Sequence, residues 1–435
     1  MTDRKTRPPG KAEKISKRAC ALLWDESLAW GLMARRSLHA AGLPFDLLNS
    51  EEIRRGVLSQ YRMLFVPGGW ASNKRSALGD RGCAQIRRFV EAGGNYLGIC
   101  GGAGLATGDG IRLLSVRRKP TSERVASFSG PIRLTLADHR IWRGVESPLF
   151  FVWWPSQLQA GDHRIRVLAT YEEAQPEAFS ADIPVRVGTL EGWHALEKRY
   201  GILLDPDRLR HEPAVMEGSL GRGRVILSLV HFDTPGDPNG SAVLRNLWEY
   251  LSPGWQSKAE TGDAIPHRRP LRHLLSELAV ELGIIESTVG DLMETGSNYS
   301  LWRWRNPFLL QWRRGVRGLE YGTLAVMIRE IREILRPDGP EGGAALPVSE
   351  NGLKEEEALL QIREQIVPFV ETAKELLDRE RLFMRSTPLS PLECPDPEIS
   401  RLRSDLFGTA MSHGGRFKPL IDSVDRLLTI LIREG

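Results

Sequence analysis

The chain has 435 residues, 41% of them hydrophobic and 26% charged, with a net charge of +4. That length exceeds one ordinary domain and suits two or three, and the composition is that of a globular chain able to bury a core. So small a charge permits an acidic partner without requiring one, and no apolar run approaches the ~20 residues that span a bilayer, so no transmembrane segment is expected.

Residues 1–17 interleave Arg4, Lys5, Arg7, Lys11, Lys14 and Lys17 with Pro8, Pro9 and Gly10. This reads as a solvated, disordered basic tail without the apolar centre of a secretory signal. The four cysteines, Cys20, Cys83, Cys100 and Cys394, are scattered and form no Cys-x-x-Cys pair. That argues against a disulfide framework or a structural zinc site, and it suits a reducing cytoplasm.

From 18 to 255 short apolar runs alternate with helical stretches. "ACALLW" reads as a first strand ending at Asp25 and Glu26, and "SLAWGLMARRSLHAAG" as a helix stopping at Gly42. "RMLFVPGG" is a second buried strand, "GDRGCAQIRRFVEAGG" a helix, "NYLGIC" a third strand, and "GGAGLAT" the start of another helix. Strand and helix in strict alternation predict a flavodoxin-like parallel sheet with helices on both faces.

Between 113 and 228, "PIRLTLA", "PLFFVWWP", "RIRVLATY" and "IPVRVGTL" read as added strands, and "AVMEGSLGRGRVILSLVHFD" as a hairpin returning to the buried sheet. "SAVLRNLWEYL" is the closing helix. Residues 256–265 have a linker's polar, Pro/Gly-containing texture. From 266 to 435 the apolar spacing is three and four, which predicts an all-helical domain interrupted by a loop at "RPDGPEGGAALPVSENG".

Chemistry concentrates at "YLGICGGAG", where a strand runs into one cysteine and a glycine-rich turn that opens a helix. A Gly-x-nucleophile-x-Gly elbow holds a side chain out at the carboxyl edge of a sheet, and a helix N-terminus would stabilise negative charge on the sulfur. The bland alternative is that Cys100 is a small buried hydrophobe. Two further features favour the elbow. "FVPGGW" ends another strand at the same edge, where Gly68 or Gly69 together with Gly101 could form an oxyanion hole. "SLVHFD" places His231 at the end of the last strand, with Asp233 two residues on and on the same side if extended geometry persists.

"LFVPGG", "YLGICGGAG" and "GRGRVILSLVHFD", in this order, resemble the class I glutamine amidotransferase-like superfamily. Within it they resemble the branch named for the N-terminal domain of certain biotin-protein ligases. The resemblance covers residues 18–255. It implies Cys100 as nucleophile and His231 as base, with Asp233 standing where the family commonly has Glu. Authentic glutaminases commonly carry Gln four residues after the cysteine, and here that position is Gly104. No synthetase domain is evident, and "GRGR" at 221–224, superficially like a biotin-ligase loop, reads as a hairpin turn.

Asp25 and Glu26 end the first strand at the same edge and are candidate pocket residues, the alternative for Asp25 being a helix N-cap. Trp70 is a further pocket candidate. Trp153 and Trp154 could line the pocket or pack as a wall.

"LAVELGIIESTVGDLM" has helix-turn-helix spacing, but its second half carries Glu286, Asp291 and Glu294 and nothing basic, so a helical hairpin is expected and nucleic-acid binding is not. "LWRWRNPFLLQWRRGVR" mixes tryptophan with arginine and reads as an interdomain docking surface, the alternative being a contact with a membrane surface or an acidic partner.

The sequence thus predicts a cytoplasmic, cysteine-dependent hydrolase or amidotransferase-like protein, acting on an amide-type C–N bond of a small molecule and needing no metal or organic cofactor. The competing class is a catalytically silent ligand-binding module whose helical domain contacts a protein partner.

Overall fold

The computed structural model describes residues 17–254, 272–335, 352–392, 394–408 and 413–434. The basic tail through residue 16, the expected linker at 256–265 and the loop after Leu335 lie outside the described residues.

The N-terminal half opens with β1 (Arg18–Leu23), α1 (Leu28–Ala40), β2 (Asp46–Leu48), α2 (Ser50–Arg54), β3 (Tyr61–Val66), α3 (Ala71–Glu91), β4 (Asn95–Ile99) and α4 (Gly101–Leu105). It continues through β5 (Val116–Arg118), β6 (Phe128–Leu136), β7 (Leu149–Trp153), β8 (Leu158–Ala160), β9 (Arg166–Ala174), β10 (Phe179–Ser180) and β11 (Ile183–Pro184). Then come α5 (Val185–Glu191), α6 (Trp193–Tyr200), β12 (Pro213–Leu220), β13 (Gly223–Ser228) and α7 (Pro238–Leu251).

One sheet runs in the order β11-β10-β6-β9-β12-β13-β4-β3-β1-β2, with β7 on β6. The five strands β2, β1, β3, β4 and β13 are mutually parallel, which is the flavodoxin-like α/β core. β12, β9, β6 and β10 extend it antiparallel. The parallel strands are continuous apolar runs because helices cover both faces: Ala21–Leu23, Met63–Val66 and Val225–Leu227 are all buried. β13 joins this core through its hairpin with β12, whose turn at Gly221 has φ +57°.

"IPVRVGTL" does not continue as a strand. After Ile183–Pro184 it becomes helix α5, capped by Pro184, and buries Val185 and Gly188 one turn apart. A Cβ on Gly188 would overlap the Trp193 ring, so the bare glycine is where α6 packs against α5. Tertiary contact here overrides the β-propensity of two valines.

The C-terminal half contains α8 (Arg272–Asn298), a hairpin of β14 (Trp302–Asn306) and β15 (Leu309–Trp312), and the helices α9 (Gly318–Leu335), α10 (Gly352–Phe383), α11 (Pro397–Phe407) and α12 (Phe417–Glu434). It is helical as expected, with one hairpin set into it at the Trp/Arg segment. The expected helical hairpin at 278–293 is instead part of the continuous α8. Ile285, Val289 and Leu292 bury one stripe, and Gly283 and Gly290 meet no neighbour, so nothing forces a turn.

The two halves share a core. Trp24, Leu28, Trp30, Leu32, Met33 and Trp153 pack in one apolar cluster with Leu310, Tyr321 and Leu420 of the helical half. Ten of the thirteen residues of α1 are buried, because one face lies on the sheet and the other on the helical half. Glu330 of α9 receives Arg35 at 3.3 Å and Arg36 at 2.6 Å. At the other end of the seam Arg433 reaches Glu52 at 2.7 Å. The hairpin docks on the added strands: Gln311 donates to the Ala181 carbonyl at 2.8 Å, and the Trp154 and Trp312 rings lie 4.6 Å apart.

Candidate active site

Cys100 follows β4 with φ 51° and ψ −102°, a conformation that costs about 1–3 kcal/mol for a residue bearing a Cβ. Its N–H is still held by the sheet, donating to the Ser228 carbonyl at 2.8 Å. The glycines that follow allow close approach. A Cβ on Gly101 would overlap the Gly69 carbonyl oxygen, and one on Gly102 the Val66 carbonyl. The β3 turn and the elbow are therefore in backbone contact, which brings Gly68, Gly69 and Gly101 together. Gly101 is the first residue of α4, so the helix itself leaves its N–H unpaired. Because α4 is a single short turn, its dipole supplies less charge stabilisation than a long helix would.

His231 lies three residues past β13. Its N–H donates to the Phe151 carbonyl at 2.9 Å, its ring lies 4.9 Å from that of Trp30, and it is fully buried. Asp233 is also fully buried, and its Oδ1 lies 2.9 Å from His231 Nδ1. The contact does not use extended geometry. The chain turns after His231, with Thr234 donating to the His231 carbonyl through both its N–H and its hydroxyl. The turn brings the carboxylate beside the ring.

Burial disfavours an imidazolium here, yet Asp233, and after it Cys100, outweigh it and raise the His231 pKa to about 9. His231 Nε2 is buried and forms no regular hydrogen bond, while Cys100 Sγ lies 3.8 Å from the Trp153 carbonyl oxygen. Cys100, His231, Asp233, Gly68, Gly69 and Gly101 thus gather at one end of the parallel strands. A Cβ on Gly68 would come within 3.1 Å of His231 Cε1.

Asp25 and Glu26 sit at the same edge in structural contacts. Asp25 accepts from the Ser50 N–H at 2.7 Å, so it supports the first turn of α2, whose N-cap is Asn49, and does not cap α1. Glu26, at φ 57°, accepts from Asn73 at 3.2 Å and meets Lys418 of α12 at 3.4 Å. Trp70 is the N-cap residue of α3. Trp153 is buried beneath the Arg305 guanidinium at 4.9 Å, and Trp154 packs on Trp312, so both form wall.

Several groups carry no sequence signal of their own. Lys74 is fully buried and donates to the Glu26 carbonyl at 3.0 Å and the Ser27 hydroxyl at 2.6 Å. Burial drives its ammonium down to about 7 against the opposing charges of Glu26 and Asp25. Tyr171 buries an unpartnered hydroxyl, and burial followed by the charge of Cys100 pushes its phenol well up. Lys74 lies on α3 and Tyr171 on an added strand, so only the fold brings them toward the sulfur. Among the described residues no group of three or more His, Cys, Asp or Glu is arranged to hold a metal, and no helix is long and apolar enough to cross a membrane.

A family profile described as the N-terminal part of biotin-protein ligase matches residues 57–109, the stretch that holds β3, Gly68-Gly69 and the Cys100 elbow. No curated protein matches the chain. Among solved structures, similarity is found to a Thermoplasma acidophilum protein assigned as a component of GMP synthase, at 12% identity and a TM-score of 0.35, covering 54% of this chain and 94% of that one. A cytoplasmic protein from Salmonella typhimurium LT2 matches at 12% identity and a TM-score of 0.34, covering 54% of this chain and 99% of that one. A beta-galactosidase from Bacillus circulans sp. alkalophilus matches at 14% identity and a TM-score of 0.33, with 54% of this chain spanning 31% of the enzyme.

Proposed function

We propose that the α/β half, residues 18–255, is a cysteine-dependent hydrolase or amidotransferase-like unit that cleaves an amide-type C–N bond of a small molecule. The helical half, residues 266–435, is then a second unit whose described part packs on α1 and on the Trp153–Trp154 wall. The observation that carries this reading is the buried His231–Asp233 pair at 2.9 Å, on an imidazole whose pKa Cys100 also helps to raise.

The attacking species is the Cys100 thiolate, and the imidazole, with a pKa of about 9, carries at neutral pH the proton that the leaving amine requires. Asp233 holds Nδ1–H and leaves Nε2 to serve the reacting atoms. The tetrahedral oxyanion would lie against the N–H groups of Gly68 or Gly69 and Gly101. Collapse expels the amine, which takes the proton from His231 and leaves a thioester on Cys100. Water then donates a proton to His231 as its oxygen attacks the thioester, and the acid departs as the sulfur is released. The scheme calls for no metal or organic cofactor.

A second reading is a catalytically silent ligand-binding module whose helical half contacts a partner. Gly104, where glutaminases commonly carry Gln, favours it. Iodoacetamide labelling separates the two. The enzyme reading expects Cys100 to react ahead of Cys20, Cys83 and Cys394, and the rate to collapse in His231→Ala. A sluggish Cys100, indifferent to that substitution, supports the module.

A further inference from the structure

We propose that Arg118 and Arg124 form a subsite for an oxyanion group, carboxylate or phosphate, on the molecule that Cys100 attacks. The link to Cys100 rests on the nucleophile reading above, whereas the anion site itself does not.

Arg118 ends β5, a single 3-10 turn at Thr121–Glu123 reverses the chain, and Arg124 follows. Gln157, itself buried, clamps the segment: its backbone carbonyl accepts from the Lys119 N–H at 2.9 Å and its side-chain Oε1 from the Val125 N–H at 2.7 Å. Gln157 lies four residues beyond Trp153, whose carbonyl meets the Cys100 sulfur. The arginine turn is therefore anchored to the strand end that walls the elbow.

The two guanidiniums are neighbours of like charge. Arg118 is exposed overall, but partial burial of its guanidinium lowers its pKa while the charge of Cys100 opposes this; burial and then Arg118 take Arg124 down to about 10, so both stay cationic at neutral pH. Neither has an acidic partner among the described residues, whereas Lys119 between them is paired with Glu212 at 2.7 Å. Arg124 is only 7% exposed, spends Nη2 on Thr121 at 3.1 Å, and leaves a buried Nε without an acceptor. Two adjacent cations with unused donors and no counter-charge are incomplete by themselves. A planar or tetrahedral oxyanion supplies both the charge and the acceptors.

The test compares iodoacetate with iodoacetamide at Cys100 of the full chain, since the two reagents differ by one negative charge. In Arg118→Gln, a change at an exposed side chain, the iodoacetate rate is expected to fall about tenfold while the iodoacetamide rate holds, with added salt producing the same trend in the parent. An iodoacetate-to-iodoacetamide ratio unaltered by Arg118→Gln overturns the subsite. If Cys100 resists both reagents, the nucleophile reading is what fails. Calorimetric titration of the parent with succinate and with inorganic phosphate then decides the anion site and distinguishes the two chemistries. Binding of either, lost in Arg118→Gln, upholds it; binding of neither overturns it.

Discussion

His231 Nδ1 and Asp233 Oδ1 stand 2.9 Å apart with both residues wholly buried, although the chain between them is a turn and not a strand. A carboxylate in that position does two things at once. It fixes the imidazole tautomer, and it is the chief influence raising the ring's pKa against burial.

Asp233→Asn should therefore separate these effects. Loss of the negative charge lets burial dominate, and the imidazole pKa is expected to drop from about 9 to below its ordinary 6.5. Iodoacetamide labelling of Cys100 at neutral pH should slow by about 10²- to 10⁴-fold, judging from triads with the same change. The pH profile of labelling, followed by mass spectrometry, is the check; a profile that does not move means Asp233 does not govern the ring.

Two glycines of the elbow predict opposite outcomes. Gly101→Ala puts a methyl group into the Gly69 carbonyl, and the loss should be on the order of 2–4 kcal/mol or a failure to fold. Gly104→Ala meets only Ala71, at 3.4 Å, in a helical position, and should be neutral or stabilising by up to about 1 kcal/mol. Urea titration ranks them; equal stabilities would contradict the backbone contact between the β3 turn and the elbow.

The seam between the halves depends on Glu330, whose carboxylate is 6% exposed and holds Arg35 and Arg36. Glu330→Gln removes the carboxylate charge that Arg35 and Arg36 share. Discounting the half-exposed Arg36, the expected destabilisation is about 2–4 kcal/mol. A denaturation midpoint equal to the parent's would show that the pair contributes nothing net.

Asp425 of α12 sets a pH dependence with a definite sign. It is part-buried with its Oδ1 shielded and unpartnered, and desolvation followed by the charges of Asp25, Glu26 and Asp422 raises its pKa to about 8. Between about 4 and about 8 the folded chain therefore holds a proton that the unfolded chain releases, so this residue's contribution to stability declines as pH rises through that window. Asp425→Asn should match the parent near pH 4 and melt several degrees higher above pH 8. Melting curves at both pH values test it, and a constant difference between the two proteins would refute it.

Much of the site was legible because its signals are local. A cysteine flanked by glycines after an apolar run leaves few conformations open, and Gly68-Gly69 end the neighbouring strand in the same way. The alternation of apolar runs and helical spacing fixes parallel order without reference to anything distant. Asp25 was harder: its type and place suited either a pocket or the cap of α1, and only the return of the chain at Ser50 gave it an N–H of the first turn of α2.

What the linear order of residues determined was the α/β core, the elbow at Cys100 and the candidacy of His231, since each follows from steric rules acting over a few neighbouring residues. Packing alone decided that Asp233 reaches the ring by a turn, that α5 replaces a strand and that α8 runs unbroken. It also decided that Lys74, Tyr171 and Arg118 feel the charge of one sulfur. Those outcomes depend on burial and charge summed over segments far apart in the chain, and no short stretch of sequence contains that sum.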